Sequence, residues 1–192
     1  MKKINYLFIL FAVAFSVFIL LISLQSANKA RMTNDGRLVA GKFYIAKEIL
    51  PDHSFYPVLM VIDRLRLELA GPERRVYLLS AYANRRLFYS KKLLEKNDQA
   101  LALATLSKAI KYINKALEEN IKLIEKASPS KTEDYQKLAF FTLENFNQDM
   151  SFTAEYKNQF NDEGRAVLDS LSTEGCSLAE KIRSLMNQPI QN

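Results

Sequence analysis

The side chains that most often carry chemistry are scarce in this sequence and stand far apart. His53 is the single histidine and Cys176 the single cysteine. His53 has no H-E-x-x-H or E-x-x-H companion, which leaves no basis for zincin or di-iron bundle chemistry. It falls in a turn between Pro51 and Pro57 and is expected to face solvent. Cys176 has no histidine near it in sequence and reads as a small core residue. A lone cysteine also excludes a disulfide within the chain. Glu118 and Glu119 are adjacent, hence about 100° apart on a helix, and do not converge as an acid pair. No glycine-rich phosphate loop is present. The chain is therefore expected to hold no metal or cofactor and not to be an enzyme. A hydrolase would require several acids buried together inside the fold.

Charge and aromatic side chains point to binding instead. The net charge is +6, and it is uneven: residues 72–127 carry twelve Lys/Arg against six Asp/Glu, while residues 131–192 carry six against ten. Lys108, Lys111, Lys115, Lys122 and Lys126 fall on one strip of a helix, opposite its apolar side. Arg74, Arg85, Lys92 and Lys96 share a second strip, beside Tyr82 and Tyr89. Both are candidate contacts for an anion such as lipid head groups or a wall polymer, or else solvated faces. Arginine with interleaved aromatics can also bind single-stranded nucleic acid, but an extracytoplasmic placement argues against that partner. Phe140, Phe141 and Phe152 point away from the Leu143/Phe146 seam among acidic residues, which fits either a second packing surface for a partner or a dimer, or a bundle helix buried on two sides.

The elements that must position these groups are helices. Five glycines and five prolines in 192 residues are too few for a β-sandwich. Ile4 to Leu24 is a run of 21 residues without charge, about 31 Å long as a helix and close to the ~30 Å hydrocarbon core of a bilayer. Residues 1–25 are thus expected to form a single transmembrane anchor. The alternative is a cleaved signal with Lys2 and Lys3 as its charged start, but its apolar core would be long and Ser23 to Ala27 offers no clean A-x-A site. Long domains cross largely regardless of charge, so the body is expected outside the cytoplasm, or secreted or periplasmic if the leader is cut.

Residues 26–47 read as a linker, with Asn34-Asp35-Gly36 and Gly41. A first helix begins near Ser54 with Pro57 in its first turn, carries Val58, Val61, Ile62, Leu65 and Leu69, and stops at Gly71-Pro72. A second spans about 73–96 on Val76, Leu79, Ala83, Leu87 and Leu94. Asp98 is placed to cap a third over about 99–127, whose seam is Leu103, Leu106, Ile110, Ile113, Leu117, Asn120 and Ile124. Ala102, Ala109 and Ala116 beside it permit close approach of a neighbour. Asn120 either fixes register inside the bundle or sits at a wet helix end. After Ser128-Pro129-Ser130 a fourth helix starts near Thr132, with no Gly or Pro to stop it before Gly164. A last segment has Leu168, Leu171, Gly175, Leu178, Ile182 and Leu185 at heptad spacing, where Gly175 either packs tightly or splits the helix.

The segments Ile49-Leu50-Pro51-Asp52, Phe55-Tyr56-Pro57, Asp63-Arg64 and Ala83-Asn84-Arg85-Arg86-Leu87 give a further signal. Together they resemble an uncharacterised bacterial domain-of-unknown-function family with an I-L-P-D-x-x-x-Y-P opening and an A-x-R-R-L helix segment. The resemblance covers residues 49–126 and implies a membrane-anchored, extracytoplasmic helical domain. It implies no activity. Leu59 and Phe88-Tyr89 stand where the family often has Lys and Glu. Asp63 could pair with Arg85 or Arg86 on the second helix.

The sequence thus leads to an all-α chain: a transmembrane helix followed by an antiparallel bundle of four to five helices. Residues 48–127 form the family-like part with three helices, and 128–192 complete the bundle. The expected role is binding or scaffolding at the membrane, with another protein or a second copy as partner. The alternative is an envelope module that grips anionic lipid or wall polymer through its basic faces. A nucleic-acid partner or small-molecule substrate is not expected.

Overall fold

The computed structural model describes residues 49–128 and 131–187, and the backbone of two strands at 31–32 and 38–39. The strands β1 (Arg31–Met32) and β2 (Leu38–Val39) pair antiparallel, Arg31 with Val39 and Met32 with Leu38. They lie in a unit spanning Met1–Ile49, and the helices in a second spanning Leu50–Asn192. The apolar run Ile4–Leu24 lies outside the described residues. Among those described, no helix is long and apolar enough to cross a membrane.

Among the described residues the second unit holds five α-helices: α1 (Tyr56–Glu68), α2 (Pro72–Glu95), α3 (Gln99–Glu125), α4 (Thr132–Tyr156) and α5 (Asp162–Met186). Helices α2 to α5 alternate in direction. Asn120 of α3 donates to Thr142 of α4 at 3.0 Å across an antiparallel pair. Asn84 with Asn145 and Lys91 with the Tyr156 ring hold α2 and α4 in parallel. The Asn114–Leu171 carbonyl bond and the Lys181–Glu125 ion pair do the same for α3 and α5. Helix α3 packs on α2, α4 and α5.

Local signals explain these boundaries. At the α2–α3 corner Asn97 takes φ 61°, the left-handed region that asparagine tolerates better than most residues. Asp98 N–H then bonds to Leu93 O and Asn97 N–H to Leu94 O, closing a Schellman motif. The Asp98 carboxylate accepts from Leu101 N–H at 3.1 Å and caps α3. On α3, Ala102, Ala109 and Ala116 are fully buried, as are Leu106, Ile110, Ile113 and Leu117. Asn120 is also fully buried, so it is an interior amide and not a wet helix end.

Three expectations need correction. First, α4 stops at Tyr156 without glycine or proline; a 3-10 turn at Lys157–Gln159 follows, and buried Phe160 draws the connection into the core. Asn161 restarts the chain, its side chain accepting from Gly164 N–H at 2.9 Å, with Asp162 and Glu163 at the positive end of the helix dipole. Second, α5 runs unbroken through Gly175, whose neighbour Cys176 is exposed and not a core residue. One step along the helix turns a side chain by about 100°, enough to carry it off the buried face.

Third, α1 is inverted. Its buried residues are Asp63 and Leu67, whereas Val58, Val61, Leu65 and Leu69 are exposed, at 52–86%. One core cluster joins Val76 and Leu79 of α2, Ile113 and Leu117 of α3, Leu138 and Phe146 of α4, and Ile182 of α5.

Candidate functional site

A single face of α4 meets the last turn of α5 to form an open groove of about 920 Å³. Its apolar floor includes Phe140, Leu143, Phe152 and Met186, and Glu144, Glu155 and Arg183 line it with charge. Positions 140, 144, 148, 152 and 155 recur at helical spacing, so one stripe of α4 supplies most of the wall. Phe140 is 65% exposed there. Phe152 is half-buried, stacks on Tyr156 at 4.4 Å and packs against the core. Phe141 does not join them: it leaves on the other side of α4, 5.0 Å from the Tyr77 ring of α2. The three phenylalanines therefore divide between a groove and a helix contact. Arg183 and Met186 were not anticipated; the signal was there in Met186, one step beyond the last heptad residue of α5.

The basic strips are less open than their spacing suggests. Lys108, Lys111, Lys122 and Lys126 are exposed on α3, but Lys115 is half-buried. Lys115 pairs with Glu118 at 2.7 Å and Glu119 at 3.7 Å, and Lys122 pairs with Glu119 at 3.3 Å. The bond to Glu118 pushes the Lys115 amine above its ordinary pKa. On α2, Lys92 pairs with Glu95 and Lys96 with Asp52, and Arg74 is exposed. Arg85 is bound to Asp63 of α1 and is not a surface anion contact. Tyr82 and Tyr89 are buried, so they cannot serve as stacking platforms for bases.

The Tyr-Pro, Asp-Arg and Arg-Arg motifs meet where α1 lies against α2. Asp63 takes Arg85 as its partner. Arg86, fully buried, donates from Nη1 to Tyr82 O and from Nη2 to Met60 Sδ, each at 3.1 Å. Its guanidinium lies 4.1 Å over the Tyr112 ring, a cation–π contact whose worth grows with desolvation. Tyr56 reaches the same region, its ring 6.2 Å from that of Tyr89. Burial pushes the phenols of Tyr56, Tyr82 and Tyr89 above their ordinary pKa. The motifs thus build the seat of α1.

The remaining ionisable groups are dispersed. His53 is exposed, as expected, and its Nδ1 accepts from Phe55 N–H at 3.2 Å. Asp63 and Asp149 are the buried acids among the described residues, and they belong to different helices. Asp149 is fully buried in α4, and burial alone pushes its carboxyl up to about 8, so it holds its proton at neutral pH. Among the described residues no three His, Cys, Asp or Glu side chains gather as a metal site. What the arrangement offers chemically is an apolar groove with a charged wall.

No curated protein and no solved structure matches the chain. A family model does match, over residues 48–174, running past the three helices of the sequence resemblance through α4 and into α5. That span is well over half of the chain, which therefore belongs to the family described as Domain of unknown function (DUF5667).

Proposed function

We propose that this protein is a membrane-tethered, extracytoplasmic helical bundle that binds a partner through the α4–α5 groove and carries out no catalysis. The observation behind this reading is Phe140, a large aromatic side chain held 65% exposed over an apolar floor. Exposed aromatics rimmed by charge are characteristic of interaction surfaces. Glu144 and Glu155 against Arg183 favour a partner segment with apolar anchors and a basic flank, such as an amphipathic helix laid in the groove. The tether is the uncharged run Ile4–Leu24. The alternative, anion capture by the basic faces, has less support. Of its nine candidate residues, Arg85, Lys92, Lys96, Lys115 and Lys122 are already in ion pairs.

Cell fractionation with protease accessibility of a C-terminal tag tests the placement. Membrane-bound, externally cleaved tag is expected; soluble cytoplasmic tag defeats it. A photo-crosslinker at position 140, with one at Lys111 as control, tests the groove in intact cells. One defined adduct at 140 that disappears on Glu144→Lys supports it, and equal labelling at both positions overturns it.

A further inference from the structure

We infer that the outer face of α1 rests on the lipid surface itself. The inference depends on the proposed tether and adds a second contact to it. Residues Phe55, Val58, Val61, Leu65 and Leu69 run from the N-cap to the C-cap of α1 at helical spacing, all 52–86% exposed. At 100° per residue they share one side of the helix. The opposite side meets the bundle through the Asp63–Arg85 ion pair and the Met60–Arg86 contact, with Leu67 the buried apolar residue. An amphipathic helix normally turns its apolar stripe inward. This one seats its polar side on the protein and presents the stripe outward.

The dimensions favour lipid over a second copy. Thirteen residues make a helix only ~20 Å long. Five outward side chains fall far below the ~20–30 residues a side of a stable protein interface. A bilayer requires no matching surface, and interfacial helices bury such a stripe in the headgroup region. Charge agrees through Arg66, exposed on the same helix, and Arg74 soon after it, both placed for anionic head groups, while Arg64 pairs with Glu68 at 3.1 Å. Residues 25–55 separate the uncharged run from α1, 31 residues that span at most ~110 Å. Tethering over such a distance raises the effective concentration of α1 at the membrane, so a weak surface contact suffices.

The test uses the full chain with Cys176→Ser, reconstituted in vesicles of phosphatidylcholine with or without phosphatidylglycerol. An environment-sensitive dye is attached at position 61, 65 or, as control, 111. Quenching by nitroxide-bearing lipids several-fold stronger at 61 and 65 than at 111, and strengthened by phosphatidylglycerol, is expected. Iodide quenching at 61 equal to that at 111, in chains that resist alkaline extraction, overturns the inference and leaves the tether standing. Dye–dye self-quenching at 61 without lipid quenching assigns the face to a second copy and also overturns it. Chains that wash off the vesicles defeat the tether and the inference together.

Discussion

Gly175 of α5 stands directly against Asn114 of α3: a Cβ at 175 would fall 2.5 Å from the Asn114 Oδ1 and 2.6 Å from the Phe146 ring. Both neighbours are buried, and Asn114 is held by its bond to Leu171 O, so neither can retreat cheaply. Gly175→Ala therefore sets a helix-propensity gain of ~1 kcal/mol against an overpacking cost of ~1–3 kcal/mol. A net loss of about 1 kcal/mol is expected in urea unfolding. A gain in stability would show that the three helices can separate at this level.

Asp149 makes the fold lose stability as pH rises from about 4 to 8. Its carboxyl is raised to about 8 in the folded protein, against ~3.9 in an unfolded chain. The stability of the protonated form is fully present below about pH 4 and falls as pH rises towards 8, because only the unfolded chain ionises in that window. Asp149→Asn removes the group that titrates. The variant should gain on the parent by several kcal/mol between pH 4 and pH 8, at ~1.4 kcal/mol per pH unit. Parallel stability–pH curves for the two proteins would contradict this.

Asp63 holds α1 in place. Asp63→Ala removes the carboxylate beside Arg85 and leaves that guanidinium without its partner under the helix. Breaking a largely buried pair costs about 3 kcal/mol. The loss should localise, with amides of 56–68 exchanging hydrogen orders of magnitude faster and those of α3 scarcely changed. Uniform acceleration along the chain would mean that α1 is integral to the core.

Phe140 and Phe152 should separate binding from stability. Phe152 packs against the core, so Phe152→Ala is expected to cost about 2 kcal/mol or more in thermal unfolding. Phe140→Ala should stay within ~0.5 kcal/mol of the parent and still abolish crosslinking through the groove, read at a neighbouring probe on Gln148. Equal destabilisation by both would make the groove part of the core.

Much of the body was legible because its apolar residues recur where a helix buries them. The α3 seam, the Asp98 cap and the Gly71-Pro72 break all rest on local rules, and the structure follows each. The orientation of α1 was not legible. Val58, Val61, Leu65 and Leu69 repeat as cleanly as a core face does, and periodicity describes a stripe without saying which way it turns. The decision lay with Asp63 and Met60 finding Arg85 and Arg86, pairings between separate helices. The end of α4 was missed because neither glycine nor proline marks it. Asn161-Asp162-Glu163, a cap followed by two acids, carried that information instead. The groove was half legible: Phe140 and Phe152 stood out as stray aromatics, but Arg183 and Met186 reach it only through the antiparallel return of α5.

The ion pair between Asp52 and Lys96, at 2.6 Å, puts the start of the helical body beside the α2–α3 corner. Phe140 and Met186 lie near the other pole, about 30 Å off along helices of some 24 residues. Tension between the proposed tether and a molecule held at the Phe140–Met186 end of the groove would run along the helix axes. The contacts between helices would then be loaded in shear, many side chains at once, and not peeled apart a turn at a time.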